Sequence, residues 1–192
     1  MCQRHEAAIF RATDMETERG IAIVLWTVRL ALACYLSAAV TGDFGRAEGV
    51  WASRARLIWT AGALLLAAHM VAAYGVFHHW SHAEALRHTA RQTAAVTGLD
   101  WGGGLYFNFA LAALWLADAA WWWRDREGYR TRGVGINASL HAFFVFMIFN
   151  ATVVFGSGPI RLLGLVGTAA VLLASFVAAR QPSAHSSRPQ SN

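Results

Sequence analysis

Five apolar stretches, each about as long as a membrane-spanning helix, dominate the pattern of hydrophobic and polar positions along this chain. They are Ile21–Thr41, Leu57–Phe77, Gly103–Trp123, Ala138–Gly156 and Ile160–Ala179. A helix needs about 20 mostly apolar residues to cross roughly 30 Å of hydrocarbon, and lipid offers no partner for unpaired backbone polar groups. The pattern therefore predicts an all-α, polytopic integral membrane bundle of about five transmembrane helices.

The polar segments divide the chain around this bundle. Residues 1–20 form a polar N-terminal tail, residues 21–180 form a single transmembrane bundle, and residues 181–192 are rich in Ser, Pro and Gln. That last composition predicts a disordered C-terminal tail. Between the second and third stretches, Ala83, Leu86 and Ala90 follow one another at helical spacing with Arg87 and Arg91 between them, which predicts a short helix on or just above the outer membrane surface.

Composition supports a membrane protein and argues against a nucleic-acid partner. Hydrophobic residues make up 56% of the chain, above the roughly 45–50% that is usual for soluble domains. The net charge is +5, but the basic residues are spread over the ends of the apolar stretches rather than gathered on one face. The two cysteines, Cys2 and Cys34, build neither a disulfide framework nor a paired-cysteine zinc site.

Arginine counts predict the orientation in a plasma or inner membrane. The first and third connections and the C-terminus carry nine Arg, whereas the N-terminal tail and the other connections carry six. Positively charged loops stay preferentially on the cytoplasmic side. The N-terminus is therefore predicted outside and the C-terminus in the cytoplasm, with most of the bias in the third connection.

Polar side chains within the apolar stretches are the first candidates for a function, because ionisable groups at membrane depth are costly. Four of them fall at similar depth on alternating helices: Arg29, His69, Asn108 and Asn150. This layer suits a small-solute or proton carrier or channel. The alternative is hydrogen bonding between helices, at about 0.6 kcal/mol a bond. Arg29 needs a buried partner, since Arg at a span centre costs about 2.5–3.5 kcal/mol.

Two further arrangements involve intramembrane histidines. Asp118 and His141 lie nearer the opposite ends of their stretches and are candidates for an ion pair between them. Alternatively, Asp118 reaches the headgroup layer. A haem b held by His69 and Met147 is the weakest hypothesis, because a Met within a span usually serves packing.

The densest chemical cluster follows the second stretch. His78, His79 and His82 are candidate ligands for a transition metal ion, with Glu84 and His88 as weaker ones. On a continuous helix, His78 and His82 stand at i and i+4, so that two rings can converge on one ion. The alternative is that these histidines are simply tolerated in the headgroup layer and bind no metal.

Three classes of function stay open. The first is a membrane protein that binds a transition metal through the outer-face histidines. The second is a small-solute or proton carrier or channel. The third is a non-catalytic subunit or scaffold, forming homo-oligomers or binding partners in a membrane complex. The chain shows neither a nucleophile–base arrangement nor a nucleotide-binding motif, so we assign no catalytic residues and do not predict an enzyme.

Overall fold

Helices form every element in the part of the chain that its computed structural model describes, residues 2–41 and 49–180. In chain order the elements are α1 (Cys2–Thr41), α2 (Gly49–His78), α3 (His82–Thr97), α4 (Gly104–Arg124), α5 (Arg126–Arg130), α6 (Val134–Phe149), a π-helical turn (Asn150–Val154) and α7 (Gly158–Arg180). The all-α class is confirmed for these residues. The predicted disordered tail, 181–192, lies outside them.

Three helical segments are long and apolar enough to cross a membrane. They are Met15–Ala39, Val50–His78 and Val134–Val154, the last formed by α6 and the π-helical turn together. These segments match the first, second and fourth predicted spans. The helix α4, which carries four Trp, an Asn and an Asp, is not among them. The apolar part described in α7, Gly158–Leu173, is shorter. The count of five therefore stays a prediction.

The polar N-terminal segment is continuous with the first span. Helix α1 begins at Cys2 and runs for 40 residues, which corresponds to about 60 Å. Its charged part extends to Arg19, and the apolar stretch Ile21–Thr41 follows. The segment predicted as a polar tail is thus helical from its second residue onward.

A left-handed turn separates α2 from α3. His79 and Trp80 both have positive φ, at 47° and 61°, a conformation that residues other than glycine rarely adopt. The Trp80 backbone N–H donates to the carbonyl of Tyr74 at 3.0 Å, which satisfies one of the free carbonyls at the end of α2. The chain therefore turns sharply at the histidine cluster instead of continuing as one helix.

A helix is present where the segment 83–91 predicts one, and it is longer than that segment. The side-chain oxygen of Ser81 accepts the Glu84 backbone N–H at 3.3 Å and caps the start of α3. Gly98 ends the helix with φ at 78°, a backbone conformation that costs glycine little. These two caps define the start and the end of α3, which packs against α2 and α4.

An aromatic core lies where α1, α2, α4 and α6 meet. Its members are Tyr35, Trp59, Trp115 and Phe144, all nearly fully buried. Tyr35 stacks on Phe144 with ring centroids 4.8 Å apart, and Trp115 meets the same ring edge-on at 4.9 Å. Gly62 lets α2 approach closely, since a Cβ there would overlap the Trp115 ring. This packing closes the floor of the cavity described below.

Candidate functional site

A cavity of about 610 Å³, open to the surroundings along part of its length, lies between the helices of the bundle, with α3 at one end and the aromatic core at the other. Along α2 its wall runs from Leu66 to His78, a length of about 18 Å. Most of its lining is apolar, including Val28, Met70 and Leu111. The volume falls within the range of roughly 300–1,000 Å³ that is typical of small-molecule sites.

The end of the cavity beneath α3 is polar. It is lined by His78, His88, Thr89 and Gln92. The rings of His78 and His88 meet edge to face with centroids 5.2 Å apart. The Nδ1 atom of His78 is buried and has no hydrogen-bond partner among the described residues. This end therefore presents two imidazoles and an amide to whatever enters the cavity.

His69 and Asn108 line the cavity further along its length. The Nδ1 atom of His69 lies 2.9 Å from the Val24 carbonyl oxygen. Because a carbonyl only accepts, Nδ1 donates, and in the neutral ring Nε2 is left as an acceptor. Met147, the partner of His69 in the haem hypothesis, lines the same cavity.

The floor of the cavity contains a buried donor. Trp115 lines the cavity and is 3% exposed, and its indole N–H has no hydrogen-bond partner within residues 2–41 and 49–180. An unsatisfied buried donor costs about 1–3 kcal/mol. An acceptor atom in the cavity would remove that cost. Tyr35, beside it, has its hydroxyl 3.4 Å from Nδ1 of His141.

Only part of the predicted intramembrane layer comes together. His69 and Asn108 share the cavity. Arg29 lies instead on an exposed face of α1, with its guanidinium 5.4 Å from the centre of the Trp26 ring. The Asn150 amide donates to the Phe146 carbonyl of its own helix at 2.7 Å. The four residues therefore do not form one layer. Two line the cavity, Arg29 faces outward, and Asn150 bonds within its own helical segment.

The predicted metal ligands are not gathered around one point. The two ring nitrogens of His82 lie 3.0 Å from the Tyr74 hydroxyl and 3.3 Å from the Tyr106 hydroxyl. His79 occupies the left-handed turn. His78 has the ring of His88 as its imidazole neighbour rather than that of His82. The turn after α2 breaks the i, i+4 relation on which the predicted pair depended.

Glu84 is engaged by two arginines of α3. Arg87 and Arg91 donate to its carboxylate at 2.6 and 3.2 Å. These hydrogen bonds, that from Arg87 foremost, hold the pKa of the Glu84 carboxyl below its ordinary value. Among the described residues, no group of three or more His, Cys, Asp or Glu side chains is placed to hold a metal ion.

Asp118 is the centre of a second polar group, at the α5 end of the bundle. Its side chain and that of Arg132 form an ion pair and are 6% and 5% exposed. The Trp59 indole N–H and the Tyr129 hydroxyl each donate to Oδ2 at 2.8 Å. Burial, and then the neighbouring carboxylate, raise the pKa of Tyr129, which keeps its hydroxyl protonated as a donor. We call these four residues the Asp118 network.

The ion-pair partner of Asp118 thus differs from the predicted one. Asp118 pairs with Arg132, whereas His141 contacts Tyr35. The chain between α4 and α6 folds back so that a residue of the Arg-rich connection reaches into the bundle. Nothing in the local sequence reveals that reversal.

Sequence reasoning also missed Trp115. Tryptophan favours the headgroup layer, and Trp121, Trp122 and Trp123 sit near the end of α4 as that preference predicts. Trp115 lies in the middle of the same helix. Its central position was the one signal of an internal role that the sequence contained.

Comparison with known protein families, curated proteins and solved structures finds no match to this chain.

Proposed function

We propose that this chain is a multi-pass membrane protein in which α1, α2, α4, α7 and the α6–π-turn segment all cross the bilayer. Three of these segments are long and apolar enough by themselves. The other two, α4 and α7, turn large apolar side chains outward, among them Leu114, Leu163 and Leu173. A lipid environment would cover such surfaces, which soluble monomers rarely expose to this extent.

Within this bundle, we propose that the protein binds and carries a small, largely apolar molecule with hydrogen-bonding groups. The observation that carries the proposal is the 610 Å³ cavity with its buried, unpartnered polar atoms. Apolar walls bind the body of such a molecule, and a few polar groups fix its orientation. His78 and Trp115 supply polar atoms at opposite ends, and His69 supplies one between them.

The cavity proposal draws on part of the carrier hypothesis and relocates its residues. His69 and Asn108 remain in it, and the residues beneath α3 replace Arg29 and Asn150. The transition-metal hypothesis remains a separate prediction. The observation that best supports it is the contact between the rings of His78 and His88.

The test is to identify the small molecules that remain bound to the protein when it is purified from native membranes. The chain is purified in lipid nanodiscs, the bound small molecules are extracted, and their stoichiometry is measured by mass spectrometry. We expect one class of molecule at near-stoichiometric amount. Ala73→Phe, at a half-buried position in the cavity wall, should remove it because the larger ring fills the space.

The matched control is Ala113→Phe, on the exposed side of α4. It adds the same ring outside the cavity and should leave the bound molecule in place. Equal retention by the two variants, or no enriched molecule in the wild-type protein, would overturn the proposal.

A further inference from the structure

Arg29 is placed where lipid would be expected. It lies on an exposed face of α1, two residues from the midpoint of the apolar stretch Ile21–Thr41, or about 3 Å along the axis. Contacts between α1 and α2 support this position of Arg29 near the middle of the bundle. The Val24 carbonyl bonds to His69, and Cys34 lies opposite Gly62, so Arg29 falls beside the central part of α2.

The described residues offer this guanidinium no anionic partner. The guanidinium lies 5.4 Å from the centre of the Trp26 ring, and the ion pairs of the described residues involve other arginines. The lipid headgroups lie about 15 Å from the bilayer midplane, farther than an Arg side chain extends. A charge at this depth is therefore expected to have a partner other than the described residues of this chain.

The surrounding face suits contact with another helix. Ala22, Trp26, Arg29, Ala33 and Ser37 follow one another at spacings of three or four, and all five are exposed. They therefore form a single stripe along α1. Ala33 and Ser37 are small, so a second helix can approach the backbone closely beside the charge.

A second copy of this chain is a poor match for the stripe. Among the acidic side chains that the structure describes, Asp118 alone lies in the apolar interior of a helix. That carboxylate is buried and already bound to Arg132. The described part of a second copy therefore brings no carboxylate to the level of Arg29.

We propose that the α1 stripe docks a transmembrane helix of a different protein, one that carries an Asp or Glu near the middle of its span. This inference rests on the proposed membrane placement. The carboxylate pairs with Arg29 out of reach of water, and the small residues Ala33 and Ser37 on its C-terminal side let the two helices meet. The contact gives the protein a role as a subunit of a membrane complex.

The experiment uses the full chain in lipid vesicles and a synthetic leucine-rich transmembrane peptide with a single central Glu and a fluorescent acceptor. A second peptide has Gln in place of Glu. Binding is measured as energy transfer from the tryptophans of the protein. We expect the Glu peptide to bind at least about tenfold more tightly than the Gln peptide, and Arg29→Leu to abolish that preference.

Two further variants separate docking from general charge attraction. Arg54→Leu removes an exposed Arg near the start of α2 and should leave the preference unchanged. Ala33→Trp keeps Arg29 but blocks close approach, and should weaken binding of the Glu peptide.

Equal binding of the two peptides, or an Arg29→Leu variant that behaves as wild type, would overturn the docking proposal. Self-association that depends on Arg29, without a preference for the Glu peptide, would also overturn it and identify a second copy as the occupant. Vesicle flotation provides the separate check on placement. A chain that fails to float with the vesicles refutes the membrane placement itself, whereas a floating chain without peptide preference refutes only the docking.

Discussion

The Asp118 network and the cavity, the two polar regions of this bundle, differ in whether their buried hydrogen-bonding groups have partners. In the Asp118 network, one carboxylate receives hydrogen bonds from Trp59, Tyr129 and Arg132. In the cavity, Trp115 and His78 each keep a buried nitrogen without a partner among the described residues. A satisfied network holds helices together, whereas unpaired groups around an empty volume suit a ligand. The contrast supports a structural role for the Asp118 network and a binding role for the cavity.

The largest expected effect comes from breaking the ion pair. Arg132→Leu leaves the Asp118 carboxylate buried without its cation, which we expect to destabilise the fold by about 3–5 kcal/mol. Thermal unfolding of the detergent-purified protein measures this. Replacing both residues by Leu should recover part of the loss, because no buried charge then remains unpaired. Arg124→Leu, at the exposed end of α4, is the control and should change little. An Arg132→Leu variant as stable as that control would contradict the structural role.

The next effect compares the same substitution at two buried tryptophans. Trp59→Phe removes a hydrogen bond to a charged acceptor and should cost about 1.5–3 kcal/mol of stability. Trp115→Phe removes a donor that has no described partner, and should cost less stability. It should instead weaken retention of the cavity molecule, by about 1–3 kcal/mol if that molecule accepts the bond. Similar stability losses and unchanged retention in both variants would remove the distinction between the two regions.

A smaller effect distinguishes the cavity-binding proposal from the metal-binding hypothesis. Changing His78 or His88 to Ala alters the cavity end beneath α3, so each should reduce retention by roughly the value of one hydrogen bond, about 1 kcal/mol. His79→Ala does not change the described cavity lining and should retain the molecule. Elemental analysis of the same samples examines the other hypothesis. Stoichiometric metal that is lost on changing His79 or His82 would favour the predicted cluster over the cavity.

The smallest effect concerns the pH dependence of α3. The hydrogen bonds from Arg87 and Arg91 hold the pKa of Glu84 below its ordinary value of 4.5. The associated stability is present above the unfolded-state pKa and is lost as the pH falls through the lower folded-state pKa. The difference in unfolding temperature between wild type and Glu84→Gln should therefore shrink between about pH 5 and pH 2. A difference that grows on acidification would contradict the assigned direction.

The helix α3 shows which structural features could be predicted from local sequence patterns. The spacing of Ala83, Leu86 and Ala90, with Arg87 and Arg91 between them, predicted a helix there, and Ser81 and Gly98 supply its caps. For the histidines just before it, the i, i+4 relation depended on α2 continuing as one helix, and the structure ends α2 at His78. Two residues with positive φ end that helix, and neither is the glycine that usually marks such a turn.

Asp118 and Arg29 show what could not be predicted from the sequence. The cost of a charge at membrane depth led to His141 as the candidate partner of Asp118, whereas the structure pairs Asp118 with Arg132, which the chain between α4 and α6 brings back to it. The depth of Arg29 could be estimated from its position in α1. Which way it faces depends on the packing of α1 against α2, which the chain order of residues does not specify.

By itself, the sequence determined the properties that depend on local composition and spacing: the all-α class, the apolar helices of membrane length, and the types of polar residue they carry. These follow because backbone hydrogen bonding and apolar length act within one segment. Only the tertiary structure decided which polar groups are paired, which line the cavity, and that Arg29 faces outward. Those outcomes depend on helix rotation and loop reversal, which bring together residues far apart in the chain.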